Sequence, residues 1–222
     1  MMKFDKLFNE PHVIDYRNQL LKINQLALWE KYRQLNTTAN SGEIVFVGDS
    51  ITEFNPIEEL IESSLKIYNR GIRGITSLQL LDHLEEQILG LKPKIIFLMI
   101  GVNDLKTREP QLVFETILTI IKQVKKNLPQ SKIYLQSILP INESSRFIRN
   151  KNRRSTKSVL ILNKLLSEID NVYWLDLHSL LRDSNNELPE RYTTDGVHLT
   201  IDAYRIISQK FQEIINQVNY ES

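Results

Sequence analysis

Apolar positions along the chain follow two alternating periodicities. Five short runs, at residues 44–47, 65–68, 94–100, 132–138 and 172–177, are rich in β-branched and aromatic side chains and nearly continuous in apolar character. Runs of this length with no polar face predict strands buried on both sides. Between them apolar residues return every third or fourth position. Leu81, Leu84, Ile88 and Leu91 do so, as do Val113, Ile117, Ile120, Ile121, Val124 and Leu128. Val159, Leu162, Leu166 and Ile169 repeat the spacing, and Ala203, Ile207, Phe211, Ile214 and Val218 close the chain with it. Such spacing lines one side of a helix. A further helix over 13–35 precedes the first strand, with Ile14, Leu21, Leu28 and Leu35 along one side. Strand and helix in alternation predict an α/β fold with a five-stranded parallel sheet. Right-handed crossovers then place helices on both faces, a three-layer, doubly wound α/β/α arrangement.

Composition narrows the picture. The 222 residues carry no Pro/Gly/Ser-rich linker, repeat or composition break, so one domain over 1–222 is expected, with residues 1–43 a helical extension packed on it. Lys and Arg number 28 against 27 Asp and Glu, a balance that argues against a nucleic-acid partner. The absence of Cys removes disulfide scaffolds, thiolate metal sites and cysteine nucleophiles. Lys3, Asp5, Lys6, Glu10, Asp15, Arg17 and Lys22 interrupt any export signal in the first residues. The longest apolar run, 95–102, is eight residues against the roughly 20 a membrane helix needs. A cytoplasmic location without integral membrane association is the expectation.

In open parallel sheets, ligands bind beyond the carboxyl ends of the strands, and that edge is where the polar residues gather. Gly48-Asp49-Ser50-Ile51-Thr52 follows the first run, and Asn69-Arg70-Gly71-Ile72-Arg73-Gly74-Ile75-Thr76 the second. Gly101-Val102-Asn103-Asp104 follows the third and Leu139-Pro140-Ile141-Asn142 the fourth. Past the fifth, before the last helix, lies Asp195-Gly196-Val197-His198-Leu199-Thr200.

Acyl transfer needs such a set. A serine hydroxyl becomes nucleophilic when a base takes its proton, and the base works best with its tautomer held by a third group. Ser50 sits at a strand-to-helix turn, His198 offers the base, and Asp195 reaches His198 locally across Gly196. Preorganised donors for a developing oxyanion come from the Gly74 N–H and the Asn103 side-chain amide. Each signal also has a plainer reading: turn chemistry for Ser50, backbone accommodation for Gly74, capping for Asn103 and Asp104, a surface pair for Asp195 and His198.

The blocks Gly48-Asp49-Ser50-Ile51, Gly74 within 69–76, Gly101-Val102-Asn103-Asp104 and Asp195-Gly196-Val197-His198, in this order, resemble those of the SGNH (GDSL-like) hydrolase superfamily. The likeness runs over residues 44–218. It implies the SGNH hydrolase fold, a flavodoxin-like three-layer architecture, and a serine esterase or acylhydrolase, a lipase-like activity without metal or organic cofactor. By resemblance Ser50 is the nucleophile, His198 the base and Asp195 its orienting acid. The Ser50 and Gly74 N–H groups and the Asn103 side chain form the oxyanion hole. Ile51 replaces the leucine of the family's name. Gly74 is taken as the donor over Gly71, which shapes the turn. The stretch 69–74 and Leu139-Pro140 further resemble the acetylhydrolase-like branch. The expected substrate is a small-molecule ester of a lipid or sugar.

His12, His83 and His178 fall off the catalytic edge and are read as structural or solvated, Asp49 as a turn residue, and Trp29 and Trp174 as packing. Arg146, Arg149, Lys151, Arg153, Arg154 and Lys157 read either as a solvated helix start or as an attractor for an anionic acyl carrier, with Arg153 and Arg154 as candidate substrate contacts. Two other functions compete. Asp49, Asn103, Asp104, Asp195 and His198 can be read as hard-metal ligands of a phosphoesterase, although only one of four histidines lies at a strand end. A non-catalytic flavodoxin-like binding protein is the other, lacking both a P-loop and a Gly-x-Gly-x-x-Gly fingerprint.

Overall fold

The computed structural model describes residues 10–150 and 154–220. Helix α1 (Pro11–Asn36) opens with proline at a position whose N–H has no helical partner to lose. Its buried face differs from the one the apolar spacing predicts. Ile14 and Leu35 are exposed, while Gln25, Trp29 and Tyr32 are buried. The surface beneath α1 joins the hydrophobic core but also presents polar acceptors, which explains the difference. Trp29 Nε1 donates to Gln87 Oε1 at 2.9 Å, and Tyr32 OH donates to the Gly71 carbonyl at 2.9 Å. A helix seated on carbonyls buries the side chains that can satisfy them, because an unmet buried acceptor is costly.

Strands β1 (Ile44–Gly48), β2 (Ile67–Gly71), β3 (Ile95–Met99), β4 (Lys132–Gln136) and β5 (Tyr173–Leu175) form one parallel sheet in the order β2-β1-β3-β4-β5. Every residue of β1 and β3 is buried, as continuous apolar runs require. The register aligns Phe46 with Phe97, Phe97 with Tyr134, and Tyr134 with Tyr173. Their rings stack in a row across the sheet at 4.5, 5.2 and 4.9 Å between centroids. The last helix lays Phe211 edge-on against Phe46 and Phe97 at 5.0 and 5.2 Å. Aromatic pairs in such arrangements contribute about 0.5–1.5 kcal/mol beyond their burial.

After β1 come two short helices, α2 (Ser50–Glu53) and α3 (Ile57–Leu60). After β2 the single helix expected through Leu81, Leu84, Ile88 and Leu91 is broken. It becomes α4 (Ser77–Asp82), α5 (Leu84–Gln87) and a 3-10 turn, Leu89–Leu91. His83 leaves helical dihedrals at φ −122°, ψ 31° and stacks on Trp29 at 3.7 Å. The break thus lets α5 face α1, an arrangement that the apolar spacing does not encode. The remaining helices are α6 (Pro110–Asn127), α7 (Thr156–Ser167), α8 (His178–Leu181) and α9 (Ile201–Tyr220). Helix α6 packs beside α4 and α7, and α9 beside α3 and α8, which gives the two helical layers of an α/β/α fold.

Strand boundaries also shift, at β2, β4 and β5, the last shortened from the expected 172–177. β2 takes in Asn69 and Arg70 because both find partners there, although the buried Arg70 Nε has none among the described residues. Asn69 Nδ2 donates to the Thr52 carbonyl at 2.8 Å, and the Arg70 guanidinium lies over the Tyr32 and Tyr68 rings at 4.6 and 5.3 Å. β4 stops at Gln136 because the Ile138 N–H and carbonyl bond the Asn163 side chain at 2.7 and 2.8 Å instead of a strand. Among the described residues no helix is long and apolar enough to cross a membrane.

Candidate active site

The interior strand β1 delivers Asp49 and Ser50 to the carboxyl edge. Asp49 caps α2, its Oδ1 accepting the Ile51 N–H at 3.0 Å, and Ser50 is the helix's first residue. Ser50 Oγ lies 2.8 Å from His198 Nε2, and His198 Nδ1 lies 2.6 Å from Asp195 Oδ2. The carboxylate requires Nδ1 to carry the proton, which leaves the Nε2 lone pair facing the serine hydroxyl. The three groups therefore form one hydrogen-bonded chain.

Asp195 and His198 are prepared by a tight turn. Asp195 Oδ1 accepts the Val197 and His198 N–H groups at 3.0 and 2.8 Å, and Gly196 takes φ +90°, a conformation that favours glycine. Thr193 closes the turn, donating to the His198 carbonyl at 2.7 Å and accepting the Gly196 N–H at 2.9 Å. Burial alone would raise the Asp195 pKa. Hydrogen bonds from the His198 ring and from the backbone more than offset it and hold the carboxyl well below the usual carboxylate range.

Candidate oxyanion donors stand on neighbouring strands. Ser50 follows β1, Gly74 follows β2 and Asn103 follows β3, and β1 lies between the other two. Among the described residues, the Ser50 and Gly74 N–H groups have no hydrogen-bond acceptor. Gly74 has φ +75°. Asn103 Nδ2 donates one hydrogen to the Ile75 carbonyl at 3.0 Å, which leaves its second available. Asp104 holds this corner from behind, fully buried and accepting the Ser77 N–H and hydroxyl at 2.8 and 2.6 Å and Arg108 at 2.9 Å.

Arg154 is not on a solvated helix start. It is 8% exposed, and its Nη2 donates to Asn103 Oδ1 at 3.4 Å. Burial lowers its pKa, with attraction to Asp49 and Asp195 opposing the shift. Lys106 is pushed down to about 8 by burial and by Arg154, partly opposed by Asp49. Arg153 lies outside the described residues. Arg146, by contrast, is exposed and pairs with Glu190 at 2.5 Å.

Asp49 is buried with Oδ2 unpartnered, and burial pushes its pKa up to about 6 despite the Ile51 N–H and the nearby Arg154, His198 and Lys106. Between its ordinary value of 3.8 and about 6, the folded state holds a proton that the unfolded chain releases. Stability contributed by this group therefore falls as pH rises through that window. Asp49→Asn, which can still accept the Ile51 N–H, is expected to gain stability relative to wild type as pH rises from about 4 to about 7. Urea unfolding midpoints across that range check it; a pH-independent difference between the two proteins would count against it.

The other histidines lie elsewhere. His12 is exposed on α1, His83 stacks on Trp29, and His178 is buried on α8. Trp29 is buried, and Trp174 is half-buried on β5. Among the described residues no three His, Asp or Glu side chains group as metal ligands. Phe54, overlooked in the sequence, sets an exposed ring 5.6 Å from the His198 ring and beneath the Arg73 guanidinium at 5.1 Å. Its signal was its place four residues after Ser50, just past the single turn of α2.

Comparison with known proteins identifies the family. Residues 46–206 match the model of the GDSL-like Lipase/Acylhydrolase family. The chain is 28% identical over 184 residues to platelet-activating factor acetylhydrolase IB subunit alpha2 of Rattus norvegicus, covering 81% of this chain and 79% of that protein. It is 25% identical over 179 residues to N-acylneuraminate cytidylyltransferase of Escherichia coli O18:K1:H7, where the match covers 78% of this chain but only 40% of the relative. Among solved structures, a Streptococcus pneumonia protein with a provisional platelet-activating-factor name superposes with a TM-score of 0.86 at 32% identity, over 93% of this chain and 100% of that one.

Proposed function

The chain belongs to the GDSL-like lipase/acylhydrolase family, and on that premise we propose that it hydrolyses carboxylic esters through an acyl-enzyme on Ser50. The observation that carries the proposal is the chain of contacts from Ser50 Oγ to His198 at 2.8 Å and on to Asp195 at 2.6 Å. Ser50 Oγ attacks the ester carbonyl carbon as its proton passes to His198 Nε2. The bond to the leaving oxygen then breaks, and Nε2 returns the proton to that oxygen. Water attacks the acyl-enzyme, giving a proton to Nε2, and the carboxylic acid departs as Ser50 recovers its hydrogen. Asp195 stabilises the imidazolium in both halves. No step calls on a cofactor.

Charge develops on the carbonyl oxygen, and Ser50 N–H, Gly74 N–H and the Asn103 amide are the donors assigned to it. Asn103→Ala is expected to lower kcat by about 10²–10³-fold, with KM changed far less, because the lost contact forms fully only in the transition state. Steady-state kinetics of the folded variant decide this, and an unchanged kcat removes Asn103 from the hole.

The substrate class is a small-molecule ester of a lipid or sugar, with the acyl or leaving group passing the Phe54 ring. Arg154 adds positive potential beside Asn103 and favours esters bearing an anionic group. A panel of p-nitrophenyl esters of rising chain length, with one neutral and one anionic ester of equal length, tests activity and preference together. Absence of turnover across the panel would refute the ester-hydrolase assignment for these substrates.

A further inference from the structure

Helix α1 precedes the family-matched segment 46–206, yet it reaches the loop that carries Gly74. Gln25 is 4% exposed, and its Nε2 donates to the Arg73 carbonyl at 2.9 Å. Its Oε1 accepts from Gln79 Nε2 at 3.2 Å, and Gln79 Oε1 in turn accepts the Thr76 N–H at 3.1 Å in the capping box of α4. On the opposite side, the Arg73 N–H bonds the Glu53 carboxylate, which also takes Arg73 Nε at 2.9 Å. Both backbone groups of Arg73 are therefore held by side chains.

The Arg73 carbonyl and the Gly74 N–H belong to one peptide unit. That unit is planar and trans, so holding the carbonyl in one direction aims the N–H in the other. A hydrogen bond accepted by the carbonyl also polarises the unit and strengthens its N–H as a donor. The control is needed here because Gly74 at φ +75° has wide conformational freedom and could otherwise turn the plane. Leu21 leaves little room on the same side, since a Cβ on Gly74 would lie 2.9 Å from Leu21 Cδ2.

We propose that Gln25 is a positioning residue for ester hydrolysis, aiming the Gly74 N–H at the oxyanion by holding the Arg73–Gly74 peptide from α1. The proposal rests on Gly74 acting as an oxyanion donor. Gln25→Met removes the donor at similar volume, and Gln25→Glu keeps the acceptor for Gln79 while losing the donation to Arg73. Both variants are expected to lower kcat on p-nitrophenyl acetate by about 10-fold or more, with KM within about twofold. Labelling of Ser50 by a fluorophosphonate, whose transition state places negative charge in the same hole, slows in parallel and also counts the folded active enzyme. A purely structural role would instead lower the melting temperature with kcat per labelled site preserved. Wild-type kcat in either folded variant overturns the proposal. Ser50→Ala run alongside separates the two levels. If it keeps turnover, the site assignment itself fails; if it is inactive while the Gln25 variants keep wild-type kcat, only the positioning role fails.

Discussion

Replacing Ser50 with alanine is expected to lower ester turnover on the order of 10⁴-fold or more. The substitution deletes the atom that forms the acyl-enzyme and leaves His198 Nε2 without its partner at 2.8 Å. It does little else. Ser50 is buried at the start of α2, where alanine is a good helix former, and the cap from Asp49 to the Ile51 N–H does not involve the hydroxyl. The Ser50 N–H survives the change, so residual activity reflects substrate binding and the oxyanion donors alone. Single-turnover and steady-state rates on p-nitrophenyl acetate, with circular dichroism to verify folding, measure the loss. A folded Ser50→Ala protein within about tenfold of wild-type kcat would mean that the chemistry is carried by another group.

Asp195→Asn ranks next, with an expected loss in kcat of about 10⁴-fold. Asp195 Oδ1 accepts the Val197 and His198 N–H groups, and an asparagine would keep its carbonyl oxygen there. Its NH₂ would then face His198 Nδ1, where Oδ2 now stands at 2.6 Å. An amide donor in that place demands an unprotonated Nδ1, so the ring proton moves to Nε2 and the lone pair that should take the Ser50 proton is gone. The imidazolium formed during attack also loses its counter-charge. Because the turn keeps its backbone bonds, KM and the unfolding midpoint should move little. A variant that loses stability but keeps wild-type kcat would assign the carboxylate a role in the turn alone.

These two residues also show how differently parts of the site can be read along the chain. Asp195 and His198 are three positions apart with glycine between them, so their pairing was legible as a local turn. Ser50 is 148 residues from His198, and nothing local states that they meet; only the tendency of parallel sheets to gather ligand-binding loops on one edge made it an expectation. Gln25 left no usable trace, and Phe54 only its place four residues after Ser50. A glutamine on a long polar helix looks solvated, and its burial follows from what α1 lands upon. Arg154 likewise reads as one of a basic run, until the fold turns it inward against Asn103.

By itself the sequence determined the alternation of strand and helix, the five buried apolar runs, and which polar residues follow them. Those properties are local, set by side-chain periodicity, turn chemistry and the chain's own connectivity. Tertiary structure decided which face of α1 is buried, where the helix after β2 breaks at His83, how far β2 extends through Asn69 and Arg70, and that one hydroxyl and one imidazole share a hydrogen bond. Each of these depends on hydrogen-bonding groups supplied by segments remote in sequence, and a buried polar atom takes its partner wherever the packed layers present one.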